Sequence, residues 1–373
     1  MRLIKKIAGI FLILVAIAFA ALALVLGHSS ACEEQPFSTS ATTTMNAAIY
    51  RCYGPPDVIE LVKTEKPSPK DNEVLVKIKS ASVNPLDWHY MRGSPYFMRL
   101  GSGIGAPDDF RMGVDFAGTV EATGKNVTRF SPGDRVFGGK SGAFAEYLVI
   151  GEDRSIAKIP DNVTFEQAAA APIAGLTALQ GLRDHGQLKA GQKVLINGAS
   201  GGVGSFAVQI AKAIGAEVTG VCSTRNVDLV LAIGADQVFD YTKEDYTQSG
   251  QQFDLIIDNV GNHSILENRK ALKPGGRLII VGGGKGNWLG PMIQPISAMI
   301  ISPFVDEHLE MMLAQMPQDD LGVLANLMKS GQLTPVFDRR YSLSETAEAI
   351  RYSEQGRARG KIIINVESVS IRD

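Results

Sequence analysis

The chain has 373 residues, with 37 basic and 39 acidic side chains and a formal net charge of −2. That length allows two domains with sizeable cores, and the near-neutral balance argues against a nucleic-acid surface. Its three cysteines, Cys32, Cys52 and Cys222, show no paired or ligand-like spacing, so neither a disulfide framework nor a cysteine-rich zinc site is implied.

Arg2, Lys5 and Lys6 precede Ile7–Leu26, twenty residues without a charged or strongly polar side chain. As a helix this run is about 30 Å long, the hydrocarbon thickness of a bilayer. A secretory signal core is shorter, about 7–15 residues. The expectation is one N-terminal transmembrane helix within residues 1–28, a single-pass membrane anchor. Two alternatives stay open: Ser29-Ser30-Ala31 suits a signal cleavage site, and Cys32 could be a lipidated cysteine. Residues 29–44, rich in Ser, Thr and Ala, read as a flexible tether. The basic N-terminus favours sending the following domain across a membrane, whereas the cofactor argued below favours the inside, so the side is open.

Residues 45–165 read as short strands and turns. Val74–Ile78 and Gly118–Glu121 are strand candidates, with turns at Gly54-Pro55-Pro56, Gly124-Lys125-Asn126 and Ser131-Pro132-Gly133-Asp134. Asn84-Pro85 is followed closely by Asp87, His89 and Tyr90.

Over residues 166–305 helices and strands alternate, with strand candidates Val194–Asn197, Glu217–Val221, Gln237–Asp240, Asp254–Asp258 and Arg277–Val281. This predicts an α/β doubly wound parallel sheet. After Val194–Asn197 comes the turn Ala199-Ser200-Gly201-Gly202-Val203-Gly204, and then a helix with Phe206, Ile210 and Ile214 on one face and Gly215 as its stop. Strand, glycine turn and helix make a dinucleotide-binding corner. The glycines admit a pyrophosphate, and the helix N-terminus points free N–H groups at it. The bland alternative is a tight corner without a ligand.

After the second strand, NAD-binding folds place an acid for the ribose 2′-hydroxyl. Here the tip reads Ser223-Thr224-Arg225, which suits a 2′-phosphate and so NADPH. Asn259-Val260 and Val281-Gly282-Gly283 end two further strands at the edge where ligands sit in such folds. Trp288–Met316 is apolar and Met-rich, reading as an adaptable pocket wall, a dimer interface, core or a membrane-resting face.

The stretch Gly191–Lys212, together with Ser82-Val83-Asn84-Pro85, Gly113–Gly118, Pro132–Gly138, Gly142–Tyr147, Gly175–Ala178 and Lys273–Gly276, resembles the quinone oxidoreductase and ζ-crystallin pattern of the medium-chain dehydrogenase/reductase superfamily. The likeness runs from about Met45 to Val366, and within the superfamily is similar to the reticulon-interacting mitochondrial oxidoreductase type. It implies a GroES-like catalytic domain over 45–165, a Rossmann NADP-binding domain over 166–305, and a return of 306–373 to the catalytic domain. It further implies that Asn84, Thr177, Asn259 and the Val281–Gly283 end line the nicotinamide, that Tyr241 lies near the 2′-phosphate, and that Lys361 is a weaker cofactor candidate.

Zinc alcohol dehydrogenases of this fold carry a Cys ligand and a Gly-His-Glu where this chain has Ala81–Pro85 and Gly113-Val114-Asp115. Asp115 alone cannot build a three-ligand site, so a metal-free enzyme is expected. The implied activity is hydride transfer from NADPH to a small-molecule quinone or α,β-unsaturated carbonyl, with a homodimer as a possible assembly. His89 stands where relatives often have Tyr. As a proton donor, direct or through water, it competes with a plain cleft-wall role, and Asp87 and Tyr90 are its neighbours. Rival readings are an enoyl-thioester reductase, an NADPH-binding structural or interaction protein with little turnover, and, disfavoured, an alcohol dehydrogenase.

Overall fold

A computed structural model describes residues 17, 19–32, 43–284, 286–288 and 290–366. The chain is built on two sheets. The first contains β3 (Glu73–Val83), β4 (Asp115–Thr123), β5 (Arg135–Gly139), β6 (Tyr147–Gly151) and β7 (Ile156–Lys158), joined by β14 (Phe337–Ser342) and β15 (Lys361–Asn365). Its order is β14-β15-β3-β4-β5-β7, with β6 also on β3, and a hairpin of β1 (Thr44–Tyr50) and β2 (Ile59–Glu65) flanks it.

The second sheet is wholly parallel, in the order β10-β9-β8-β11-β12-β13. Its strands are β8 (Lys193–Asn197), β9 (Glu217–Cys222), β10 (Gln237–Asp240), β11 (Phe253–Asp258), β12 (Leu272–Ile280) and β13 (His308–Met311). Val194, Leu195 and Ile196 of β8 are all fully buried. A parallel sheet covered on both faces demands such an unbroken apolar run. Two apolar cores cover the faces: one holds Ile196, Phe206 and Ile257, the other Leu195, Ile256 and Leu278. A third core, around Val76, Phe116, Phe144 and Ile364, belongs to the first sheet. The chain leaves the parallel sheet after β13 and returns to the first through β14 and β15, so the C-terminal segment lies between the two.

The two-domain α/β expectation fits, but its transmembrane helix is overturned. Among the described residues no helix is long and apolar enough to cross a membrane, and the single-pass membrane anchor is withdrawn with it. Residues 7–16 and 18 of the apolar run lie outside the described residues. Residues 19–27 are helical, only about 14 Å of rise. The chain beyond them docks on the first domain. Arg99, 2% exposed, donates through Nη1 to the carbonyls of Leu26 at 2.8 Å and His28 at 2.7 Å. Ser30 N–H donates to Gly105 O at 2.8 Å. Residues 29–32, read as part of a tether, are therefore held.

The cysteines also depart from the sequence reading, because Cys32 and Cys52 form a disulfide with a Cα–Cα distance of 5.1 Å. That separation lies within the usual span of such bridges, roughly 4.4–6.8 Å. No motif marks the pair; folding of the N-terminal segment onto the domain brings the two together.

Candidate active site

Gly198 leaves β8 at φ +80°, and the helix Gly202–Ile214 starts at Gly201 with no capping side chain. Its first N–H groups are therefore not taken by a side-chain cap. A Cβ on Gly204 would stand 2.1 Å from Gly198 O and 2.7 Å from Ala199 Cα. Only glycine permits this backbone approach, which shapes the hollow that a pyrophosphate requires. Phe206 and Ile210 are buried, Ile214 packs against the same core, and Gly215 closes the helix at φ +91°.

The other wall comes from the C-terminal segment. Gly360 N–H donates to Ser200 O at 2.9 Å, and the side chain of Lys361 passes 3.4 Å from where a Gly202 Cβ would stand. The glycine turn thus lies under residues of the first sheet.

At the tip after β9, Thr224 donates to Asp240 Oδ2 at 2.6 Å. That carboxyl is held well below the usual range by Thr224 first, then by Thr242 and Lys243. Ser223 and Ser200 both accept from Asn226 Nδ2, at 3.3 and 2.9 Å. Arg225 reaches Arg357 O, and Tyr241 is exposed next to the tip, its N–H bonded to Cys222 O at 3.0 Å.

The strand ends beyond are tied together by Asp258, whose Oδ1 accepts from Asn197 Nδ2 at 2.9 Å, Val260 N at 3.1 Å and Gly261 N at 2.9 Å. Its carbonyl accepts from Val281 N at 2.9 Å and Gly282 N at 3.0 Å. Asn259 Nδ2 is spent on Asn197 O at 2.9 Å, whereas its Oδ1 is buried without a partner. Gly283 abuts Pro291. An orphaned acceptor at a strand end suits an amide donor such as a carboxamide.

In the first domain, Asn84 starts the helix Pro85–Arg92, and Asp87 Oδ2 accepts the Asn84 N–H at 2.7 Å. Asn84 Nδ2 donates to Asp115 Oδ2 at 2.9 Å, and Asn84 Oδ1 accepts from Lys361 Nζ at 2.5 Å. Asn84, Asp87, Asp115 and Lys361 are each at most 4% exposed. Burial pushes the Asp87 carboxyl up to about 7, with Asp115 adding to the rise and the Asn84 N–H and Lys361 opposing it. Burial also lowers the Lys361 ammonium, against Asp115 and Asp87.

His89 lies off this cluster. Its Nδ1 bonds Ser94 O at 2.6 Å, its ring stacks on Trp88 with centroids 3.7 Å apart, and burial pushes its pKa down. Tyr90 is exposed, and Thr177 is buried with its hydroxyl donating to Ile173 O at 2.7 Å.

The family models that match are the alcohol dehydrogenase GroES-like domain over residues 70–161 and the zinc-binding dehydrogenase over 233–364. A chloroplast envelope quinone oxidoreductase homolog of Arabidopsis thaliana is 33% identical over 336 residues, 86% of this chain and 98% of that protein. The quinone oxidoreductase structure from Coxiella burnetii matches with TM-score 0.76 and 31% identity, over 87% of this chain and 100% of the other. That of the Escherichia coli quinone oxidoreductase complexed with NADPH matches with TM-score 0.74 and 25% identity, over 86% and 99%.

The chain belongs to the zinc-independent quinone oxidoreductase group of the medium-chain dehydrogenase/reductase superfamily. It is a nicotinamide-dependent oxidoreductase. Of the predicted cofactor residues, the glycine turn meets Gly360 and Lys361, and Lys361 in turn bonds Asn84, whereas the predicted catalytic residues are divided. Asn84 and Asp87 join Lys361 in a buried cluster, while His89 and Tyr90 stand apart.

Several residues escaped sequence reasoning. Asp258 ends β11 one position before a residue that was singled out. Asn226 braces Ser200 and Ser223. Arg357 meets the Arg225 tip from the other domain. The sequence marks Asp115 only at a metal-ligand position. The Met-rich stretch does not converge on one pocket: Met299 is exposed, Met312 lies in the core, and Met316 packs on Gly139.

Proposed function

We propose that this oxidoreductase binds NADPH and reduces a quinone or an α,β-unsaturated carbonyl. The cofactor preference rests on the Ser223-Thr224-Arg225 tip, which has no acid of its own, together with Arg357 beside it. A 2′-phosphate would meet a guanidinium there, a charge-assisted contact of about 1.5–3 kcal/mol. Gly201–Gly204 would hold the pyrophosphate, and Thr177, Asn259 and the Val281–Gly283 end would flank the nicotinamide. When bound, the cofactor supplies the hydride.

One observation supports the acceptor class. Ala81–Pro85 and Gly113–Asp115 stand for the ligand-bearing stretches of metal-using relatives, and the charge of Asp115, the one ligand type among them, is taken up by Lys361 at 3.5 Å. The donor set does not suit a dication. A conjugated acceptor spreads the incoming charge over its own framework, which suits such a cleft. Neutral His89 donates Nδ1–H to Ser94 O, which leaves Nε2 as an acceptor, so His89 does not suit the role of a resting acid.

An NADPH-oxidation screen against quinones, enones, enoyl-thioesters, aldehydes and alcohols tests this reading. Turnover of quinones or enones well above the rest is the expected result. Turnover confined to alcohols and aldehydes, or none despite tight NADPH binding, would refute it.

A further inference from the structure

We propose that Asp115 is a positioning residue of the hydride-transfer site, setting both walls of the cleft through Asn84, Lys361 and the first turn of the helix Pro172–Gln180. The assignment rests on the reading of the cleft as the nicotinamide site. Asp115 is fully buried at the start of β4. Its Oδ2 accepts from Ser82 Oγ at 3.0 Å and Asn84 Nδ2 at 2.9 Å and lies 3.5 Å from Lys361 Nζ; its Oδ1 accepts from Ile173 N at 3.1 Å. Those four donors come from β3, the turn after it, β15 and the Pro172–Gln180 helix. One carboxylate therefore fastens three segments of the first sheet to the helix that carries Thr177.

The charge matters as well as the shape. Lys361 has Asn84 Oδ1 and Asp115 as its partners, with the Asp87 carboxyl as the further acid acting on it, and a buried ammonium that loses its paired carboxylate is strongly disfavoured. Asn84 is held in one orientation, with its amide nitrogen toward the carboxylate and its oxygen toward the ammonium. An isosteric amide at 115 removes the reason for both. Lys361 then gives up its proton or moves, Asn84 loses its orientation, and the Ile173 N–H loses its charged acceptor. No atom of Asp115 is exposed to the cleft, so it acts through these neighbours.

The test uses the full chain with Asp115→Asn, Lys361→Met and the double variant. It measures NADPH affinity by nicotinamide fluorescence, amide exchange at Ile173, and the kinetics of menadione reduction across pH. For Asp115→Asn the expected results are threefold to tenfold weaker NADPH binding, faster Ile173 exchange, and kcat at least tenfold lower with menadione KM within twofold. The pH profile of kcat should shift with it. The double variant should be no worse than Asp115→Asn alone, because the orphaned cation is gone.

Unchanged affinity and exchange in Asp115→Asn, or losses that simply multiply in the double variant, would overturn the proposal. Should Asp115→Asn not fold, Lys361→Met is compared with the double variant. There the substitution removes a carboxylate that has lost its cation and should restore NADPH affinity at least twofold; no restoration overturns the assignment. If the unmodified protein reduces no acceptor, the functional reading falls, whereas affinity and Ile173 exchange still decide the role of Asp115.

Discussion

Arg225 Nη2 donates to the carbonyl oxygen of Arg357 at 2.9 Å, bonding the tip that follows β9 to the loop that precedes β15. The contact sets two guanidinium-bearing residues side by side from opposite domains. Among the described residues, neither has a salt-bridge partner. The Arg225 guanidinium so held would suit a phosphate as a further partner.

Arg225→Ala should therefore weaken NADPH binding at least tenfold, about 1.4 kcal/mol, and leave NADH within about twofold. Fluorescence titration with both cofactors measures this. Equal affinity for the two in the unmodified protein would defeat the argument from the tip.

The phosphate turn makes a steric prediction. Gly204→Ala puts a methyl 2.1 Å from Gly198 O, a clash with backbone, so the variant should lose cofactor binding by more than tenfold and melt at a lower temperature. Gly201→Ala meets only Gly198 O at 3.4 Å and should fold normally. Indistinguishable melting curves for the two variants would contradict the packing described for the turn.

Asp87 makes stability depend on pH. Its carboxyl titrates near 7 in the folded chain, because of burial, and near 3.8 unfolded. Between those values the native state holds the extra proton, so this group's contribution to stability falls as pH rises from about 4 through about 7. Asp87→Asn keeps an acceptor for the Asn84 N–H and removes the titration. The melting temperature of the variant relative to the unmodified protein should rise between pH 5 and pH 8. A constant difference across that window would show that Asp87 is not protonated in the fold.

The bridge between Cys32 and Cys52 leaves Cys222 as the free, buried cysteine. Alkylation in denaturant should modify one thiol per chain before reduction and three after it. Closing a loop of 20 residues is worth about 3 kcal/mol, so Cys32→Ser should lower the melting temperature measurably. Three thiols alkylated without reductant would disprove the bridge.

Metal removal should leave activity intact. Among the described residues no group of three His, Cys, Asp or Glu side chains could hold a metal ion. Activity lost to a chelator and regained with zinc would overturn the metal-free reading.

The parallel sheet was the legible part of the fold, because burial on both faces writes itself as short β-branched runs. Gln237–Asp240 was read with the bounds the structure has. β12 was read as beginning at Arg277 but starts at Leu272, since Pro274-Gly275-Gly276 looks like a turn and yet continues the strand through a register shift opposite Phe253 and Leu255. Within the site, the glycine turn and the Arg225 tip were legible because each is local. Asp115 was not, because its partners stand 31, 33 and 58 residues away, and sequence offers no period for such meetings. The apolar N-terminal run misled for the opposite reason. Its hydropathy is loud, whereas the bonds that hold its end to Arg99 run to backbone carbonyls, which no side-chain pattern reveals.

Those bonds give the interior a stake in how the chain is processed. A peptidase cutting among Ser29, Ser30 and Ala31 would remove the carbonyls of Leu26 and His28 in one event. Arg99 would keep the Gly93 carbonyl and its stacking on Tyr53 and Tyr96, but its Nη1 would face no oxygen from the departed segment. Water would take the place of those oxygens, so each bond lost costs about 0.5–1.5 kcal/mol. The loss would fall next to Tyr96, whose ring meets Trp288 of the other domain edge-on at 4.8 Å. Trimming the N-terminus would thus take one brace from a seam between the two domains, so the first described turns of the chain also serve the fit of its halves.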